Sequence, residues 1–340
     1  MSIGFTLPAD LEAHDPPEAR GTARDGVRML VSRRATGAVS HHMFEDLTGL
    51  LRPGDLIVVN TSGTLPAEIR AGDGLAVHFS TPVPDGGWLV ELRTVAGPAT
   101  VRSDSGAAGV TLRLPAGAGL TLTRRVTSRL WHARLSTAVV PYLLRYGVPI
   151  RYSYVRRAWP LAAYQTVFAT RPGSAEMPSA SRPFTPEAVT RLVARGVTFA
   201  PLTLDTGVSS LEGDEEPYPE PYDVPPATAR LVNQVRRDGG RVIAAGTTVV
   251  RALETAARAR PAADGMVAAS AGWTGHVVTP ASGILAVDAL LTGLHEPRSS
   301  HLRMLEAFTG PDLLDRCYRA AIDGRYLWHE FGDVHLLLPS

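Results

Sequence analysis

The 340-residue chain contains no lysine, so all 34 of its basic residues are arginine. Reactions that need an amine side chain are thereby excluded, a pyridoxal Schiff base and a Walker-type phosphate loop among them. A single cysteine, Cys317, rules out intrachain disulfides and multi-cysteine zinc or iron–sulfur sites, and is expected to be a small buried hydrophobe. No apolar run approaches the roughly 18 residues of a membrane span. The opening "MSIGFTLPADLEAHDPPEAR" lacks a basic start followed by an apolar stretch, so a cytoplasmic protein without a signal peptide or membrane contact is expected. Ten histidines are present, yet neither His-x3-His nor His-Glu-x2-His occurs, and no metal site is expected. A net charge of +1 gives no overall pull on nucleic acid. One run, "RYSYVRR" at 151–157, interleaves arginine with tyrosine, either as RNA-binding surfaces do or as a plain solvated loop.

What is present suffices for a real core, since 44% of the residues are hydrophobic. Three textures follow one another. The first ends in "LRPGDLIVVN", a turn followed by a buried strand at 56–59. From about residue 67 to 150, short alternating segments such as "GGWLVELRTV" and "RLWHARL" are punctuated by glycine and proline, the signature of a small antiparallel barrel or sandwich. Beyond it, helical patterns at 186–195, 227–238, 248–260, 299–308 and 311–323 alternate with strands such as "VTFAPLTL" and "VHLLLP". The expected fold is a three-layer α/β main domain built from both chain ends, 1–66 and 151–340, with an inserted small antiparallel β-barrel domain at 67–150. The acidic, proline-rich stretch at 211–226 reads as a long loop, and 284–291 as an apolar helix ending just before His295.

"RVIAAGTTVVRALETAARAR" hands a strand over to a helix at Gly246. Thr247 or Thr248 can cap that helix, whose first amides and positive end then point out of the sheet's carboxyl edge toward a carboxylate or phosphate. An ordinary capped helix fits that stretch equally.

Several segments, in order and register, resemble the S-adenosylmethionine:tRNA ribosyltransferase-isomerase family of queuosine biosynthesis. They are Gly-Thr-Thr-x-Val-Arg-x-Leu-Glu ending at Glu254, Tyr164-Gln165-Thr-Val-Phe, Val-Asp-Ala-Leu-Leu-Thr ending at Thr292, His295-x-Pro-x-Ser, and Tyr326 through Gly-Asp333. "LRPGDLIVVN", ending at Asn60, resembles the family's approach to its Asn-x-Thr-Arg motif. The departures lie in the middle of the chain. Where the family has Asn-(Asp/Asn)-Thr-Arg-Val-Ile-Pro-Ala-Arg, this chain has Gly63 and Glu68 in place of the two arginines. Family histidines are replaced at Pro183, Asp205 and Tyr218.

The resemblance implies an enzyme that moves and isomerises the ribosyl group of S-adenosylmethionine, as substrate and without any cofactor, onto a 7-aminomethyl-7-deazaguanine in tRNA. Methionine and adenine leave. The sulfonium acidifies the adjacent 5′ carbon, so a base must take that proton and an acid should assist adenine. By this resemblance Gly246, Thr247, Thr248 and Arg251 would hold the methionine carboxylate. Asn60, Tyr164, Gln165 and Asp333 would belong to the substrate site, and Asp333 serves equally as a turn former. Glu220 is the first candidate base, Asp205 another, and His295 the acid or a second base. Losses at Gly63, Glu68, Pro183 and Asp205 point to donor binding with poor turnover of tRNA. Two alternatives stand beside the family reaction: the same sulfonium chemistry on a small nucleoside acceptor, and a non-catalytic binding protein that kept the fold. A monomer is expected.

Overall fold

The computed structural model describes residues 4–97, 99–208, 218–259, 264–297 and 299–340. Its frame is a nine-stranded mixed sheet with the Leu56–Asn60 strand, every residue of which is buried, in its interior beside the middle strand Val242–Ala245. On either side of Leu56–Asn60, in parallel, lie Thr198–Leu204 and Val242–Ala245, and Val242–Ala245 is followed in parallel by Ala289–Gly293. The sheet continues through Val334–Leu338, Arg28–Arg33 and Ala38–Met43 at one edge and through Glu220–Val224 and Ser270–Thr274 at the other.

Strand alternation sorts the central side chains into two cores. Leu56 and Val58 pack with Val249 and Leu253 of helix Thr247–Arg258, with Val232 of helix Pro226–Arg237, and with the buried Cys317 of helix Pro311–Asp323. Ile57 and Val59 face the other way, against Phe44, Leu47, Phe184 and Leu192. Helices therefore cover both faces, and the main body is a three-layer α/β structure as expected. Among the described residues no helix is long and apolar enough to cross a membrane.

A second, seven-stranded antiparallel sheet is built from strands between Glu68–Arg70 and Leu130–Leu135, with Val77, Phe79, Leu120 and Leu130 in its own core. It curls without closing. Its end strands, Glu68–Arg70 and Thr111–Arg113, share no ladder among the described residues, so the expected small antiparallel barrel takes the form of a half-barrel.

Two local expectations are corrected. The run at 284–291 is not a helix, because Ala289–Gly293 is a strand between two others of the main sheet. A short apolar run carries no periodicity that separates buried strand from buried helix. Likewise the proline-rich stretch is not all loop: Glu220–Val224 is a strand, antiparallel to both neighbours, and Pro226 opens a helix. Pro221 sits there near the sheet's rim, where a missing amide costs little. Residues 211–217 of that stretch lie outside the described residues.

Candidate active site

Four parallel strands end at one edge, at Asn60, Leu204, Ala245 and Gly293. Ligands of open α/β sheets bind outside such carboxyl ends. Here the edge opens on a cavity of about 310 Å³, whose walls also include Arg129 of the half-barrel and Ile150, Tyr152 and Tyr154 beyond it.

Gly246 makes the turn into the cavity. Its φ of 107° and ψ of 154° lie where only glycine is comfortable. Neither threonine caps the helix, contrary to the expectation: the cap residue is Gly246 itself, with no side-chain hydrogen bond, and Thr247 and Thr248 form the first helical turn. Thr248 instead accepts a bond of 3.3 Å from the Asn60 amide. Gly246, Thr247 and Thr248 line the cavity, so an uncapped positive helix end faces it. Around the glycine there is room for a methyl, the nearest atoms standing 3.7 Å from a built Cβ, so Gly246→Ala tests the backbone alone. The expected result is a loss of about 1–3 kcal/mol in stability together with weaker S-adenosylmethionine binding. Unchanged denaturation and unchanged calorimetric affinity would show that the turn tolerates relaxation.

One turn further, Arg251 is buried, and all three edges of its guanidinium are used. Nε donates to the His276 carbonyl at 3.2 Å, Nη2 to the Thr274 carbonyl at 3.1 Å, and Nη1 to the Glu220 carboxylate. Glu220 is therefore no mobile loop charge. It begins a strand, is buried, and its other oxygen accepts the Gly207 amide at 2.7 Å. Both residues of this pair line the cavity.

His295 also lines it, two residues past the end of strand Ala289–Gly293, with Nε2 2.8 Å from the Thr292 hydroxyl and its ring stacked on His301 at 4.5 Å. Burial, then the neighbouring His301, His335 and His329, holds its pKa well below the usual imidazole value. At neutral pH it is an uncharged ring that offers a hydrogen bond rather than a ready proton. Upstream, Glu254 fixes the approach to this strand. Fully buried, it accepts the amides of Leu285 and Ala286 at 2.8–3.0 Å.

Tyr164 reaches the cavity, with its ring against Phe331. Four expected site residues do not line it. Asn60 is fully buried, and its amide is saturated: Nδ2 donates to the Leu204 carbonyl at 2.8 Å and to Thr248, while Oδ1 accepts the amides of Ser62 and Leu204. It ties the ends of two neighbouring strands together beneath the site. Gln165 clamps Thr64 through both halves of its amide, at 3.0 and 2.8 Å. Asp205 lies behind the wall, accepting from Ser62 at 2.7 Å, and burial raises its pKa. Asp333 ties the Arg28 and Leu327 amides together at 2.8 Å each.

Other lining residues escaped the sequence reading. Tyr218, standing where the family has histidine, donates to the Val208 carbonyl at 2.8 Å and bonds Ser80 of the half-barrel at 2.5 Å. His276, His301, Tyr152, Tyr154, Glu176, Glu296, His329 and Glu330 also line the cavity. Glu296, His329 and Glu330 fall at the unspecified positions inside matched motifs, where a motif gives no signal. Tyr152 and Tyr154 belong to "RYSYVRR", so that run is more than a solvated loop. Among the described residues no three His, Cys, Asp or Glu side chains group as a metal site would need.

Comparison with known proteins gives one family. A model described as "Queuosine biosynthesis protein" matches residues 2–337. The S-adenosylmethionine:tRNA ribosyltransferase-isomerase of Geobacter sulfurreducens is 34% identical, the match covering 97% of each chain. The protein of that name from Symbiobacterium thermophilum is 35% identical, covering 98% of each. In three dimensions, the crystal structure of the S-adenosylmethionine tRNA ribosyltransferase from Thermotoga maritima superposes with a TM-score of 0.57 at 28% identity, over 99% of both chains.

Proposed function

The chain belongs to the queuosine biosynthesis protein family, and on that premise we propose that it transfers and isomerises the ribosyl group of S-adenosylmethionine onto an aminomethyl-deazaguanine in tRNA. The observation that carries the reading is the open helix end at Gly246–Thr248 facing a cavity that also holds the Arg251–Glu220 pair. The first-turn amides suit the methionine carboxylate. Arg251, one turn on, adds positive charge there and orients Glu220.

Glu220 is the base of this reading. A carboxylate has about four lone-pair directions, and its two hydrogen bonds leave room to accept a proton from the carbon next to the sulfonium. His295, uncharged, donates one N–H toward the departing adenine. The chemistry is acid–base, and the substrate's own sulfonium supplies the activation.

Tyrosine and arginine at the cavity's rim favour tRNA as the acceptor. Tyr152 and Tyr154 line the cavity while their neighbour Arg156 is exposed, a spacing that suits phosphate beside a base. The departures that pointed away from tRNA lose their force, because Gly63, Glu68, Pro183 and Asp205 are all buried and none lines the cavity. Glu68, for instance, is held by His78 at 2.9 Å and by Arg70 at 2.5 Å. Such residues support the wall and touch no acceptor. The cytoplasm, where tRNA is found, is the expected compartment, and a monomer the expected form.

Incubation of the purified protein with S-adenosylmethionine and tRNA bearing the aminomethyl-deazaguanine tests this by mass spectrometry. Adenine, methionine and an epoxycyclopentane nucleoside in the tRNA are expected. Release of adenine with the free deazaguanine but not with the tRNA would transfer the reading to a small acceptor, and failure to bind S-adenosylmethionine would overturn it.

A further inference from the structure

One wall of the cavity has no task in the donor chemistry. Tyr152 and Tyr154 stack with ring centroids 5.8 Å apart, and Tyr154 stacks on His329 at 3.8 Å with only 10° between the planes. Carboxylates surround this column. The Tyr152 hydroxyl donates to Glu176, that of Tyr154 donates to one oxygen of Glu330, and Glu296 stands 3.7 Å from Nδ1 of His329.

Positive charge is scarce here. Among the described residues no arginine forms an ion pair with Glu296 or Glu330, and the charge of Arg182, itself paired with Glu18, reaches Glu330 only from a distance. Burial lowers the pKa of His329 to about 4, so its ring is neutral at pH 7 and offsets neither carboxylate. Its side chain is only 6% exposed, with Nδ1 3.7 Å from Glu296 and the enclosed Nε2 3.7 Å from Glu12. Burial also raises Glu330 to about 7, and Glu296 is raised by burial and by Glu12. Two carboxylates in a cavity wall, without an arginine partner, suit a ligand rich in N–H groups.

From this arrangement we infer that Glu296 and Glu330, braced by Tyr154 and His329, form the subsite that receives the acceptor's N–H donors, its aliphatic amine and the guanine-like edge. The inference rests on the reading above, in which the first-turn amides at Gly246–Thr248 take the methionine carboxylate. The acceptor brings an aliphatic amine and a guanine-like edge, both N–H donors, and the titration below separates it from the donor's own ammonium and adenine amine. Tyr154 holds one Glu330 oxygen, so the other is left to accept from the ligand. The stacked rings keep the carboxylate from turning away.

Calorimetric titration of the full-length protein with free 7-aminomethyl-7-deazaguanine, with 7-deazaguanine lacking the amine, and with S-adenosylmethionine tests it. Glu330→Gln and Glu296→Gln keep size and remove charge. Each is expected to weaken the aminomethyl compound by roughly tenfold or more, the worth of a charged hydrogen bond, while S-adenosylmethionine affinity stays within about twofold. A comparable loss for 7-deazaguanine assigns that carboxylate to the base edge, and no loss for it assigns the carboxylate to the amine; either outcome supports the subsite. Weakened S-adenosylmethionine with unchanged deazaguanine binding would overturn the inference, as would unchanged binding of all three. Should wild type bind the deazaguanine but no S-adenosylmethionine, the carboxylate effect still decides the subsite and only the donor reading fails. Glu296 is 40% exposed on its side chain, which keeps that variant informative if Glu330→Gln folds poorly.

Discussion

Arg251→Ala is expected to destabilise the protein by about 3–5 kcal/mol, the usual consequence of leaving one member of a buried ion pair alone. The sequence by itself suggests something milder. Read as a ligand-gripping fork, Arg251 should lose about 1.5–3 kcal/mol of S-adenosylmethionine binding on replacement and leave the fold intact. The structure changes that forecast, because each edge of the guanidinium already has a protein partner. Alanine would strand the Glu220 carboxylate with the Gly207 amide alone and would orphan the carbonyls of Thr274 and His276.

Urea denaturation separates the two accounts. A drop of several kcal/mol that is largely restored in the double variant Arg251→Met with Glu220→Met marks the pair as a structural unit, since an apolar pair of similar volume removes the stranded charge. Turnover should be absent from that double variant even though it folds, because Glu220 is the proposed base. A single Arg251→Ala variant within about 1 kcal/mol of wild type would instead return the arginine to a purely ligand-binding role. Lysine is a poor substitute in either case, as one ammonium cannot reach a carboxylate and two carbonyls on different sides.

The sequence reveals those parts of this site that depend on local pattern. The unbroken apolar run at Leu56–Asn60 announces a central strand, and the Gly-Thr-Thr stretch announces the start of a helix after a strand, although with a threonine cap that the structure does not have. Both stand where they were expected. Local pattern fails where the deciding partner is distant. Ala289–Gly293 becomes a strand because Val242–Ala245 and Val334–Leu338 lie on either side of it, and nothing within the run itself says so. Gln165 reads as a site residue until its amide is seen to clamp Thr64, 101 residues away. Asp205 looks like a base until Ser62, 143 residues away, is found bonded to it behind the wall. The carboxylate wall was hidden for the same reason: Tyr154 and Glu330 meet across 176 residues of chain.

His335 carries the second large effect, and it appears as a dependence on pH. The residue sits in the wholly buried Val334–Leu338 strand, bonded through Nε2 to the Ser32 hydroxyl at 2.9 Å, with Nδ1 unpartnered. Burial lowers its pKa from 6.5 to about 3. Between those values the unfolded chain binds the proton and the folded chain does not, so stability is fully present above pH 6.5 and is lost as pH falls toward 3. At about 1.4 kcal/mol per pH unit, the loss between pH 6.5 and 4.5 is about 2–3 kcal/mol. Other groups titrate in the same window, Glu330 in the opposite direction, but they cancel in a comparison with His335→Gln. The stability gap between wild type and this variant should therefore shrink by about 2–3 kcal/mol from pH 7 to pH 4.5, read from urea midpoints at each pH. Parallel pH profiles would mean that His335 reaches a proton in the folded state. The site shares the consequence, since Thr292, paired across the sheet with His335, holds the His295 ring. Acid that strains this strand should accordingly slow adenine release before the protein unfolds.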